Sequence, residues 1–117
     1  MSKLPSKRIA ALRREREKLL KELANLRLLV RGTYLERFST CSRPNCACHQ
    51  GKRHGPRSYA VVTREKKQRQ VYIPRDQVEA VRRGIAEHHR LLEIVDRVTA
   101  INLELMRGGG LRMSVSG

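Results

Sequence analysis

The segment Cys41-Ser-Arg-Pro-Asn-Cys46-Ala-Cys48-His49-Gln-Gly-Lys-Arg-His54-Gly-Pro56 gathers all three cysteines of the chain and closes on a histidine. Zinc is satisfied by four tetrahedral thiolate and imidazole ligands, and three Cys with one His is a usual structural set. The segment supplies that set as Cys41, Cys46, Cys48 and His54. Pro44 and Asn45 favour a turn between Cys41 and Cys46, and Gly51 and Gly55 let the chain double back toward an ion. His49 is the alternative fourth ligand, but it would have to chelate beside its neighbour Cys48, whereas the loop to His54 leaves room for closure. The reading is one structural Zn2+. A catalytic zinc would keep a position open for water with a general base nearby. The only carboxylates near this segment in sequence are Glu36 and Glu65, so the expectation is a protein that binds and does not catalyse.

Composition frames the staple. A chain of 117 residues is one domain's worth, and domains of this size often draw on a metal or a partner chain for stability. Aromatic residues make up 3% and Trp is absent, so the core must come from Leu, Val, Ile and Ala, which suits packed helices. The basic start at Lys3, Lys7 and Arg8 runs into Leu and charged residues mixed together, without the apolar region of a signal peptide. No apolar run reaches membrane-spanning length, and the expected setting is cytoplasmic, where clustered cysteines hold metal more readily than they form disulfides.

Outward from the cysteines, apolar residues at Ile9, Leu12, Leu19, Leu23, Leu26 and Val30 form a heptad series interrupted by Arg16, which predicts a basic amphipathic helix from Lys7 to Arg31 with Gly32 as its stop. Thr33 to Ser39 reads as a short extended segment. Ser58 to Thr63 and Gln70 to Ile73 are β-prone and read as a hairpin connected by Arg64 to Arg69. That connection lacks an Asn-Gly or Asp-Gly pair, so its turn type is open. Pro74 ends the second strand, and Asp76 with Glu79 predicts a capped helix start. Val78, Val81, Ile85, Leu92, Val95, Asn102, Leu105 and Met106 mark the expected buried stripe, and Gly108 to Gly110 the end. Asn102 is the kind of core polar residue that fixes helical register.

The predicted fold is therefore α+β, with two long amphipathic helices flanking a zinc-stapled hook and β-hairpin. Its parts are a basic helix over 1–32, hook and hairpin over 33–75, a second helix over 76–107 and a flexible tail over 108–117. The helices pack on each other as an antiparallel pair or associate between chains.

Gly32-Thr33, the Cys41 to Cys48 run, His54-Gly55-Pro56, Val71-Tyr72-Ile73-Pro74 and Ile101-Asn102-Leu103-Glu104-Leu105 together resemble a short bacterial and archaeal domain of unknown function whose members are often found with transposase genes. The resemblance covers about residues 31–106. It implies a metal-stapled small domain and a connection with mobile DNA. Ser42 stands where members usually have Gly, and Arg57-Ser58-Tyr59 replaces a more aromatic strand. The latter argues against an aromatic stacking surface, while the ligand set stays intact.

The formal charge is +15, from 26 Lys and Arg against 11 Asp and Glu, and it lies in the first two thirds of the chain. Such a field favours a polyanionic partner. Arg43, Lys52, Arg53 and Arg57 surround the hook, Arg64, Lys66, Lys67 and Arg69 lie in the hairpin connection, and Arg8, Arg13, Arg14 and Lys18 extend the patch along the first helix. The expected partner is DNA or RNA held mainly through phosphates, since no helix-turn-helix or ββα finger is present. Tyr59 and Tyr72 could stack bases if exposed, but at strand positions in a small hairpin they are expected as core or half-core residues. His88 and His89 point in different directions on the second helix and are read as surface or seam residues. The competing reading is a zinc-stapled coiled-coil adaptor that dimerises or docks a protein partner such as a transposase. Neither reading includes a membrane or a small-molecule substrate.

Overall fold

The computed structural model describes residues 4–39 and 54–113. The order of elements is α1 (Ser6–Ala24), β1 (Thr33–Ser39), β2 (His54–Arg64), β3 (Lys67–Ile73) and α2 (Val78–Arg107), an α+β arrangement with one three-stranded antiparallel sheet in the order β1-β2-β3. The chain divides into two compact units, Met1–Arg27 with His89–Gly117, and Leu28–His88.

In the first unit α1 runs antiparallel to the C-terminal part of α2. Leu12, Ile101 and Leu105 are fully buried, and Leu4, Ile9 and Leu19 pack against them. Beside this core runs a ladder of ion pairs, Arg8 to Glu104, Arg97 to Glu15 and Arg90 to Glu22. On each helix the partners are seven residues apart, the flanking positions of a heptad whose core positions include Ile9 and Leu12. Each arginine engages both carboxylate oxygens, at 2.7 and 3.0 Å for Arg8 and with the Nη2 contacts at 2.7 Å for Arg97 and 2.8 Å for Arg90. Slipping the pair by one heptad would set Arg8 against Arg97 or Glu15 against Glu104, so the charges specify the register.

Arg16, the interruption in the heptad of α1, has its own partner. Its Nη1 donates to Asn102 Oδ1 at 2.7 Å. The two polar residues at half-buried positions thus satisfy each other. The glycines after Arg107 end α2 as predicted. Gly109 takes φ 76°, its N–H donates to Met106 O at 3.1 Å, and the Gly110 N–H reaches Leu105 O at 2.7 Å, a Schellman closure.

Three helix expectations need correction. First, α1 stops at Ala24, with Asn25 as its C-cap, although the apolar period continues to Val30. The backbone beyond is satisfied by α2 instead of by its own helix. The Leu28 N–H donates to Glu87 Oε1 at 2.8 Å, and the Val30 N–H to Gly84 O at 3.0 Å. Gly84 permits this crossing, since a Cβ there would stand 2.3 Å from Leu28 O and 2.7 Å from Val30 Cγ2. Gly32 is therefore not a helix stop; a Cβ on it would lie 2.7 Å from Val61 O, so it lets the chain pass close to β2.

Second, Asp76 does not stand at the cap position of α2, which begins at Val78. It lies in a 3-10 turn, Arg75–Gln77, that follows Pro74 and leads into α2. Third, the buried stripe of α2 was phased wrongly in part. Ile85, Ile94, Ile101 and Leu105 are buried, whereas Leu92, Val95 and Met106 are about half exposed. Leu92, Val95 and Met106 form a second apolar series on the same helix, and only the partner helix selects which series is covered.

In the second unit β2 is the central strand. It pairs with β1 from Thr33↔Val61 through Arg37↔Arg57 to Ser39↔His54, with a register irregularity between Arg37 and Ser39. It pairs with β3 from Ser58↔Ile73 to Arg64↔Lys67. The hairpin turn is two residues, Glu65 and Lys66, at φ 52° and 65°. Two positive φ angles define the primed turn that matches strand twist, here without the usual Asn or Gly. One sheet face carries the buried Ala60 and Ile73 together with Tyr34, whose ring lies under the Arg82 guanidinium of α2 at 4.6 Å. The Tyr34 hydroxyl contacts Glu36 Oε1 and Ser58 Oγ, both at 2.9 Å.

Two outcomes follow from these contacts. Gly84→Ala should lower the stability to urea unfolding by about 1–3 kcal/mol through overpacking, outweighing the roughly 1 kcal/mol by which Ala favours a helix interior. In the ladder, hydrogen bonds from Arg97, Arg90 and Arg8 hold the carboxyls of Glu15, Glu22 and Glu104 below the usual carboxylate range. A depressed folded-state value contributes stability that is present above the unfolded value and is lost as pH falls through the folded one. The thermal midpoint should therefore drop on acidification through and below about pH 4, and Glu15→Gln should flatten that drop.

Candidate nucleic-acid interface

The register of β2 sorts the basic residues onto two faces. On the face opposite Ala60, three rows cross the sheet: Arg37 beside Arg57, then Leu35, Tyr59 and Tyr72, then Thr33, Val61 and Gln70. Tyr59 and Tyr72 are direct cross-strand partners with ring centroids 5.9 Å apart and planes at 70°, an edge-to-face pair. Tyr59 is half-buried, but Tyr72 is 56% exposed, contrary to the expected core placement.

Arg37 and Arg57 are both exposed and face each other in register. Like charges directly opposite on a sheet destabilise it. Among the described residues neither has a carboxylate in ion-pair contact. Beside them, at the end of the sheet, a groove of about 330 Å³ is lined by Arg57, Ser58, Tyr72, Arg75 and Val78, among others. Arg37 and Arg75 were not singled out in the sequence, whereas Tyr59 and Tyr72 were and were assigned to the core side. Their grouping depends on the strand register, which the two-residue turn sets.

The remaining predicted cations lie elsewhere. Arg64 and Lys67 face each other at the hairpin end, Lys66 is in the turn and Arg69 pairs with Val62, all exposed and without an ion pair among the described residues. By register, Arg64, Lys67 and Arg69 belong to the Ala60 side. In the helical unit Arg8 is engaged by Glu104, and Arg13 donates to Gly110 O at 2.7 Å. Arg14, Lys18 and Lys21 remain as an exposed basic line on α1, along a shallow depression shared with Arg13 and Glu17. Arg43, Lys52, Arg53 and the expected ligands Cys41, Cys46 and Cys48, with His49 and the His54 side chain, lie outside the described residues. Among the described residues there is no cluster of metal-ligating side chains, and no helix is long and apolar enough to cross a membrane.

These features define a small α+β domain whose sheet presents aromatic and cationic side chains on one face. The chain belongs to the family described as Domain of unknown function (DUF6788), whose model matches residues 9–83. The match takes in most of α1, the whole sheet and the start of α2. No curated protein and no solved structure matches the chain.

The Arg37 and Arg57 pair offers a direct test of its cost. Arg57→Glu, which sets a carboxylate opposite Arg37, should stabilise the sheet by about 0.2–1 kcal/mol, seen as a rise of a few degrees in thermal midpoint that shrinks in high salt.

Proposed function

We propose that this protein is a small, zinc-stabilised basic protein that binds DNA or RNA mainly through phosphate contacts, as an accessory factor of mobile DNA, and that it acts by binding without catalysis. The observation that carries the reading is the partition of charge. Five of the chain's carboxylates, Glu15, Glu22, Glu87, Glu93 and Glu104, pair with arginines, all of them arginines of the helices. The described cations of the sheet and turn, Arg37, Arg57, Arg64, Lys66, Lys67 and Arg69, form no ion pair among the described residues. A cation set left without internal partners is suited to phosphates.

The zinc reading gains support from the strand pairing. Ser39 and His54 are ladder partners, so the sheet brings together the two residues that flank segment 40–53. A connection of that length is far beyond the two to five residues usual for a hairpin and gains from an internal cross-link. Cys41, Cys46 and Cys48 lie within it and His54 stands at its closing point, a thiolate and imidazole set that fits Zn2+. His49 remains the alternative fourth ligand. The metal would supply folding energy to the loop and hold Arg43, Lys52 and Arg53 in place.

The second reading, a coiled-coil adaptor that dimerises or docks a protein such as a transposase, is favoured by the exposed series Leu92, Val95, Leu103 and Met106 on α2.

Two measurements test these readings. Affinity for labelled DNA and RNA should fall steeply with salt, and Lys66→Gln with Lys67→Gln should reduce the slope of log K against log salt by about 1–2. No association at low salt, together with tight binding to a protein, rejects the nucleic-acid reading in favour of the adaptor. Metal analysis of untagged protein should find one zinc per chain, lost with a fall in thermal stability in Cys46→Ser; a folded, metal-free wild type overturns the staple.

A further inference from the structure

We propose that the open face of the sheet in Leu28–His88 binds unpaired nucleotides, with Tyr72 and Tyr59 stacking on bases and Arg37 and Arg57 taking the adjoining phosphate. This rests on the nucleic-acid reading above and narrows it to single strands.

The face has the parts such a ligand requires. An exposed aromatic ring offers a stacking platform for any base, because every base has a π-face. Tyr72 projects from an edge strand at 56% exposure, and its neighbour Tyr59 holds it through the edge-to-face contact at 5.9 Å. The arginine row lies two residues along β2 from the tyrosine row, a separation of about 7 Å at the rise of a strand. That is comparable to the reach from a stacked base to its own phosphate. On the other side of the tyrosines, Gln70 and Thr33 offer an amide and a hydroxyl for base edges. The groove lined by Arg57, Tyr72 and Arg75 continues the site at the sheet's end, joining cationic and aromatic walls.

The in-register Arg37 and Arg57 are informative in their own right. Two exposed guanidinium groups opposite each other repel, and no carboxylate among the described residues relieves them. An oxyanion between them converts that repulsion into paired charge-assisted hydrogen bonds. Duplex is disfavoured on geometry. Its bases are already stacked and hide the faces that an exposed ring on a sheet would meet. Tyrosine and arginine are also enriched at protein interfaces; what favours the nucleotide is the in-register arginine pair, which an anion between the two would relieve.

Fluorescence anisotropy with a labelled oligothymidine and with a duplex of the same length, at one fixed salt concentration, tests the assignment on the full chain. The wild type should bind the single strand more tightly. Tyr72→Ala should weaken the single strand by roughly tenfold, the cost of one stacked base, and leave duplex binding and the salt slope unchanged, while Tyr72→Phe stays within about twofold of wild type. The chain has three tyrosines and no tryptophan, so quenching of tyrosine emission by the unlabelled oligothymidine reads stacking directly, and Tyr72→Phe should diminish it. Arg37→Gln should weaken the single strand and lower its salt slope by about one. Circular dichroism checks that each variant is folded. Equal affinity of Tyr72→Ala and wild type for the single strand, or wild-type preference for duplex, overturns this inference and leaves phosphate binding standing. Absence of binding to either probe at low salt overturns both.

Discussion

The register of β2 is the constraint on which the sheet unit depends. Side chains alternate along a strand, so a slip of one residue would exchange its two faces. In the observed register Ala60 is buried on the side that meets Arg82 of α2, while Arg57 and Tyr59 stand on the other. The same register joins Ser39 to His54, the residues that flank the cysteine segment. Inner packing and outer chemistry thus follow from one set of backbone hydrogen bonds. The Glu65-Lys66 turn fixes that set on one side, at the cost of holding two residues with side chains at positive φ.

The helical unit depends on a different kind of specificity. Leu12, Ile101 and Leu105 supply the buried surface, but apolar contacts alone would tolerate a heptad shift. The ladder of Arg8, Glu15 and Glu22 against Glu104, Arg97 and Arg90 makes each shift place like charges together, and Arg16 with Asn102 adds a polar contact that fits only one alignment. These pairs are exposed, so their worth lies in selecting an arrangement more than in stability. They also consume carboxylates. What remains of the charge is a basic surface on the sheet and along Arg14, Lys18 and Lys21 of α1.

Much of the element plan was legible because periodicity and turn chemistry are local. The β-prone runs around Tyr59 and Tyr72, the extended segment before the cysteines and the glycine stop after Arg107 all lie where those signals place them. The boundary of α1 was not legible, because the heptad series carries on through Leu26 and Val30 while Glu87 and Gly84, nearly sixty residues away, claim the backbone there. Nothing near Gly84 in sequence signals its role, which shows only where the segment through Leu28 and Val30 crosses it. In α2 two apolar series coexist, and the sequence offers no means of choosing between them.

The sequence by itself determined the elements, the excess of positive charge and the donor set from Cys41 to His54, since each is a property of residues near one another in the chain. The tertiary structure alone decided which charges are consumed by partners and which are left outward. It also decided that Tyr59 and Tyr72 meet beside two arginines. Those outcomes depend on strand register and helix alignment, which bring together residues too far apart in sequence for any local pattern to link them.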